Sequence, residues 1–161
     1  MPAPMKFLRL SIVAFAASLA VVAACNAADF DPALKKAMHD RHEGFEEIGD
    51  SMKEIGDTLK GGGSLNPKLA KAARTINELA PQTKVWFPAG SGPETGAKTG
   101  AKAEIWQQPE VFAEKRDAFI AAAAKLAQLA DANDAAGFAT QVGELGQTCK
   151  GCHEQFRAKK H

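Results

Sequence analysis

Apolar positions along the chain recur with the period of a helix in four successive runs. Leu34, Met38, Arg41, Phe45, Ile48, Met52, Ile55 and Leu59 follow one another at spacings that alternate between four and three, an unbroken seam along one face of a long helix. Asp31-Pro32 supplies a cap and first-turn proline, and Gly61-Gly62-Gly63 ends the run with a flexible turn. Asn66-Pro67 opens a second, shorter helix with the stripe Leu69, Ala72, Ala73, Ile76, Leu79 and Ala80, expected to end near Trp86. Pro88 to Lys102, with glycines at 90, 92, 96 and 100 and a second proline at 93, reads as a loop; at this length a loop is mobile or functional. Ile105, Phe112, Phe119 and Leu126, spaced by sevens, predict a third helix with Ala122 and Leu129 filling its face and Pro109 in its first turns. Asp131-Ala132-Asn133-Asp134 is a stop and restart, and Phe138, Val142, Leu145, Cys149, Cys152 and Phe156 give a fourth seam of the same four-three spacing. The economical architecture is an all-α, antiparallel four-helix bundle. One seam residue is wrong for a core. Arg41 either lies at the rim with its stem along the apolar face, or answers something anionic inside the bundle.

Composition narrows the class. The chain has 161 residues, is 45% hydrophobic, lacks Tyr and is rich in Ala, which suits one helical domain with a single core. Lys6 and Arg9 precede the apolar run Leu10 to Ala24, which gives way to Cys25-Asn26-Ala27-Ala28: an n-region, an h-region and a small-residue cleavage site. Residues 1–27 are therefore expected to be an export signal peptide and 28–161 the mature domain. Val22-Ala23-Ala24-Cys25 also resembles a lipobox, the alternative in which Cys25 carries a lipid anchor. Without Lys6 and Arg9 the chain keeps 18 basic against 19 acidic side chains, a balance that gives nucleic acid nothing to bind.

The chemistry is concentrated near the C-terminus, in Cys149-Lys150-Gly151-Cys152-His153. Two thiols three residues apart, with a histidine directly behind them, form the attachment pattern of c-type haem. The cysteines add to the porphyrin vinyl groups, and the adjacent imidazole of His153 can bind the iron. A zinc site would need two further ligands, and outside the motif only Cys25, His39, His42 and His161 are available, at no zinc-ligand spacing. A redox dithiol of the thioredoxin kind would expect a βαβ context that is missing here. Both cysteines fall on the apolar seam of the fourth helix, so the porphyrin is expected inside the bundle. Export fits this reading, and cleavage after Ala27 leaves Cys149 and Cys152 as the only thiols.

These segments together resemble the cytochrome c′ family: Arg41-x-x-x-Phe45 and Gly49-x-Ser51-Met52-Lys53 in the first helix, Trp86-Phe87-Pro88-Ala89-Gly90 after the second, Ala103-Glu104-Ile105-Trp106 opening the third, and Cys149 through Arg157 at the end. The resemblance spans essentially the mature chain. It implies a periplasmic protein with one covalent haem c, held by Cys149 and Cys152, with His153 as axial ligand. It further implies Arg41 near a propionate, Phe45 over the distal face and Arg157 on the proximal side. Low-spin relatives of similar fold place a methionine where Phe45 stands, and Phe45 cannot ligate iron, so the resemblance implies a five-coordinate, high-spin haem. Where family members often carry Tyr before the last arginine, this chain has Phe156. Met38, Met52 and His42 lie near enough on the first helix to compete as a sixth ligand; each has an ordinary alternative as core filler or surface residue. Trp86 and Trp106 read as packing or loop-closing aromatics, and His39 and His161 as surface residues. Two functions follow: single-electron transfer with an unidentified periplasmic redox partner, or binding of a diatomic gas such as NO or CO. Enzymatic, peroxidase-like turnover would want a distal acid/base pair close to the iron, for which His42 is the one candidate beside the apolar seam around Phe45. The resemblance also implies a homodimer.

Overall fold

The computed structural model describes residues 31–159. The leader, Cys25 and His161 lie outside them. Helix α1 runs Pro32–Lys60, with the Asp31 carboxylate accepting from the Ala33 amide at 2.8 Å and Pro32 in the first turn. Its end is a glycine turn in which Gly62 takes φ 83°, a backbone region that a side chain would penalise. Helix α2, Pro67–Leu79, is capped by Asn66, whose side-chain oxygen accepts from the amides of Lys68 and Leu69 at 2.9 and 3.2 Å.

The second helix ends at Leu79, short of the expected end near Trp86. Ala80 keeps helical angles (φ −54°, ψ −45°) and donates to the Ile76 carbonyl, but Pro81 has no amide to continue the ladder, and the chain tightens into a 3-10 turn over Ala80–Lys84. Proline also divides the expected third helix. Gln108 leaves helical geometry (φ −128°, ψ 57°), which separates a single turn, α3 (Glu104–Gln107), from the long helix α4 (Pro109–Asp131). Pro109 is thus the first residue of a new helix, the position where its missing amide costs least. Asn133 reverses the chain in the left-handed region (φ 53°), and the Asp134 carboxylate accepts from the Gly137 amide at 2.9 Å to start α5 (Ala135–Phe156).

The four long helices form an antiparallel bundle whose core contains Ile55, Leu69, Ile76, Leu126, Phe138 and Leu145, all fully buried. Packing follows chain order: α1 lies against α2, α2 against α4, and α4 most extensively against α5. The remaining side, α1 against α5, is the thinnest of the four. A second, smaller apolar cluster of Ile105, Phe112 and Phe156 closes one end, with Phe87, Trp106 and Cys152 packed on it. Among the described residues, no helix is long and apolar enough to cross a membrane.

Candidate functional site

Cys149 and Cys152 sit one turn apart on α5, half-buried and unbridged. Cys149 packs on the main core and Cys152 on the smaller cluster, so the pair straddles the junction of the two. Burial pushes both thiols above the ordinary cysteine range, opposed at Cys149 by the Thr148 hydroxyl and at Cys152 by the charge of Lys115. Both therefore favour the neutral thiol, which weakens them as solution redox dithiols. His153 is exposed as a whole residue, yet desolvation, and secondarily the Arg157 guanidinium, hold its imidazole below the ordinary histidine range. That favours the neutral ring, the form with a lone pair to donate.

Arg157 does not continue the helix. It takes extended geometry (φ −109°, ψ 129°), donates its amide to the His153 carbonyl at 3.1 Å, and forms an antiparallel bridge with Ala101. The bridge is reinforced by Lys102 N to Phe156 O at 3.0 Å, Ala158 N to Gly100 O at 2.8 Å and the Lys102 ammonium to Gln155 O at 2.7 Å. Arg157 is thus still a neighbour of His153, held there by the chain that precedes α3.

From α1, the half-buried Phe45 begins a run of aromatic rings that crosses the bundle. It meets Trp86 edge-on at 5.2 Å between centroids and Phe87 at 6.1 Å; Phe87 meets Phe112 at 4.9 Å, and Phe112 meets Phe156 at 5.3 Å. The wall therefore links the Phe45 level of α1 to α5, one turn beyond Cys152. Free thiols, a neutral imidazole and an apolar wall with no rival ligand in it fit a covalently held porphyrin better than a metal ion alone.

Arg41 is only 6% exposed, which rules out the rim position. Among the described residues no carboxylate forms an ion pair with it. Its NH1 group donates to the Trp86 carbonyl at 3.3 Å and the Ser91 hydroxyl at 3.2 Å, and its NH2 group to the Ser91 carbonyl at 2.9 Å and the Thr99 hydroxyl at 3.0 Å. The guanidinium also stacks 4.8 Å from the Phe87 ring centroid. Burial lowers its pKa, with Glu94 opposing. The segment read as a mobile or functional loop is thus tied down at one end by Arg41 and at the other by the bridge to Arg157. Between them, the Pro88 carbonyl accepts from the Ser91 amide, the Ser91 hydroxyl and the Trp106 indole at 3.2, 2.8 and 3.1 Å. Trp106 does close the loop, and Trp86, 5% exposed, is a packing residue.

The other candidate ligands stand on the same helix as Phe45. His42 is on the exposed face of α1, 3.4 Å from Glu46, and His39 lies beside Glu43 at 3.9 Å. Met52 packs on the main core below Phe45, and Met38 is half-buried nearer the start of the helix. Sequence reasoning overlooked Gly44, Ser91 and Thr99. Gly44 is buried because Trp86 occupies the space of its missing side chain: a Cβ there would stand 2.1 Å from the indole Cη2. A glycine inside an otherwise strong helical seam was its only signal.

Comparison with known proteins agrees with this arrangement. A family model described as Cytochrome C′ matches residues 36–157. Cytochrome c′ of Pararhodospirillum photometricum is 41% identical over 119 residues, covering 73% of this chain and 92% of the relative. That of Rhodospirillum rubrum is 34% identical over 150 residues, covering 93% and 98%. Among solved structures, a cytochrome c′ with an unusual ligand-controlled dimer dissociation has TM-score 0.71 and 29% identity, over 78% of this chain and 97% of the other. A nitric oxide complex of a cytochrome c′ mutant from Alcaligenes xylosoxidans has TM-score 0.70 at 23% identity, over 79% and 97%; at that identity the likeness concerns the fold alone. With matching family, relatives and fold, and two unbridged thiols and a histidine on the last helix, the chain belongs to the cytochrome c′ family and is a c-type haem protein.

Proposed function

We infer that this chain is an exported, periplasmic haem protein with a five-coordinate, high-spin iron, and that it transfers single electrons. The observation that carries the reading is the aromatic wall from Phe45 to Phe156, which contains no side chain able to ligate iron. Haem c, when bound, supplies a one-electron iron couple and one open coordination position. Cys149 and Cys152 hold the porphyrin to α5 as thioethers. His153 donates its neutral imidazole to the iron, and Arg157 places a positive charge on that proximal side. On the distal side Phe45 excludes water and crowds any sixth ligand. Arg41, buried on α1 four residues before Phe45, would supply a positive charge to a propionate. None of these groups forms the distal acid/base pair that peroxidase-like turnover needs.

A second reading has its own support. The distal wall around Phe45 is apolar and crowded, which suits a small diatomic ligand such as NO or CO. A structural neighbour is a nitric oxide complex. Gas binding uses the open position on the iron, whereas electron transfer needs only the haem iron couple.

Substitution of Phe45 tests the site. In the purified holoprotein, Phe45→Met is expected to shift the ferric absorption and resonance Raman spectra from high toward low spin. Phe45→Ala is expected to speed CO association roughly tenfold or more, as expected for removing a bulky group from an approach path. A low-spin spectrum in the unmodified protein would end the five-coordinate reading, and unchanged CO kinetics in Phe45→Ala would end the distal assignment.

The leader and the assembly complete the proposal. Intact mass of the mature holoprotein is expected to correspond to a chain starting at Ala28 plus one haem; a diacylglycerol-modified Cys25 would instead give the lipid-anchored form. The same sample is expected to sediment as a homodimer, an assembly the neighbour with ligand-controlled dimer dissociation also adopts. A monomer at all concentrations would remove it.

A further inference from the structure

Arg41 spends its hydrogen bonds on the protein. Four N–H···O contacts reach Trp86, Ser91 and Thr99, residues 45 to 58 positions away in sequence, and all are buried or part-buried. The acceptors come in a set. Ser91 is completely buried and offers both its hydroxyl and its carbonyl; the hydroxyl in turn donates to the Pro88 carbonyl at 2.8 Å. Thr99 accepts from Arg41 and also from the Ala101 amide at 3.1 Å, next to the bridge with Arg157. A planar guanidinium suits such a fork of acceptors, and a lysine could reach only part of it. The two residues that follow from this clamp, Trp86 and Phe87, are the rings that stand against Phe45 at 5.2 and 6.1 Å.

We propose that Arg41 is a positioning residue: by clamping Trp86, Ser91 and Thr99 to α1 it holds the Trp86 and Phe87 rings behind Phe45, and so sets how readily a small ligand reaches the distal face. The proposal rests on the distal assignment of Phe45. It gives Arg41 a role independent of any propionate, because the guanidinium meets Ser91 and Thr99 through protein oxygens alone. Removing either acceptor loosens the same rings that removing the guanidinium loosens.

The test uses holoprotein variants Arg41→Gln, Arg41→Lys, Ser91→Ala and Thr99→Val, with two readouts: amide hydrogen exchange across residues 86–99, and the rate of CO association. Arg41→Gln is expected to raise exchange in the segment roughly ten- to a hundredfold, as for loss of buried charge-assisted bonds. It is also expected to speed CO binding. Thr99→Val, close to isosteric and gentle on folding, is expected to do both to a smaller degree, and Arg41→Lys to rescue only part. The double variant Arg41→Gln/Thr99→Val should add little to Arg41→Gln alone, since both remove one network. If Arg41→Gln alters CO binding while Ser91→Ala and Thr99→Val alter neither readout, Arg41 acts on the haem directly and the proposal fails. If the segment loosens in every variant with CO kinetics unchanged, the clamp is structural only and the proposal fails equally. Phe45→Ala leaves the clamp intact, so a failure of the distal assignment shows there with the exchange response to Arg41→Gln preserved.

Discussion

A chain carrying Cys149→Ala and Cys152→Ala together is expected to lose covalent haem completely, while each single variant keeps one thioether. The readout is haem staining after denaturing electrophoresis, with acidified-solvent extraction as its complement: the unmodified protein keeps its haem with the chain, and the double variant releases all of it. Folding does not confuse the result. Alanine deletes one sulfur from each half-buried site, which costs about 1 kcal/mol per site, small beside the 5–15 kcal/mol typical of a domain. Retention of covalent haem by the double variant would mean that the attachment lies elsewhere. Both thiols on a half-buried seam, pushed up by burial, give the protein little reason to keep them for solution redox chemistry.

Gly44→Ala is expected to be the most damaging single methyl addition in α1. A Cβ at that position would stand 2.1 Å from Cη2 and 2.4 Å from Cζ2 of Trp86, distances at which the indole must move. The ring cannot retreat freely, since Trp86 is buried, meets Phe45 edge-on and carries a carbonyl held by Arg41. Overpacking of this kind costs about 1–3 kcal/mol. Alanine recovers at most about 1 kcal/mol of helix propensity over glycine, so the clash wins. Thermal unfolding of the variant is expected several degrees lower, on the order of 3–10 °C for a domain of this size. Gly49 supplies the contrast on the same helix: it is exposed, with nothing within 4 Å of its ideal Cβ. Gly49→Ala is therefore expected to stabilise by about 0.5–1 kcal/mol. Equal responses at the two sites would show that the Trp86 contact is not specific.

Gly44 also shows which parts of this protein a sequence displays and which it hides. Seams at four-three spacing fixed the faces of α1 and α5, because periodicity is a property of the chain itself, and the haem motif was visible for the same reason. Caps at Asp31 and Asn66 were legible as local hydrogen bonding between neighbours in sequence. Pro81 and Pro109 were visible, but whether a proline kinks, starts or ends a helix depends on what the chain packs against next, and both proved to be boundaries. Arg41 was legible as an anomaly, and its burial excludes the rim position. Its acceptors are two carbonyls and two hydroxyls from a segment that looked unstructured, and a carbonyl leaves no trace in a sequence. The same blindness covered Ser91, a small polar residue in a glycine-rich stretch that turns out to be fully buried.

The thin contact between α1 and α5 has a consequence for how the chain gathers itself. Every substantial helix pairing joins elements that are neighbours or near-neighbours in sequence, and only α1 with α5 brings the first helix to the last. Closing that longest loop costs the most chain entropy, and folding slows as such distant pairings come to dominate. The bundle is expected to make that closure late. Hairpins α1–α2 and α4–α5 and the α2–α4 interface can form on local contacts, and the first-to-last junction is left to the aromatic rings, the Arg41 clamp and whatever α5 carries between its thiols and α1.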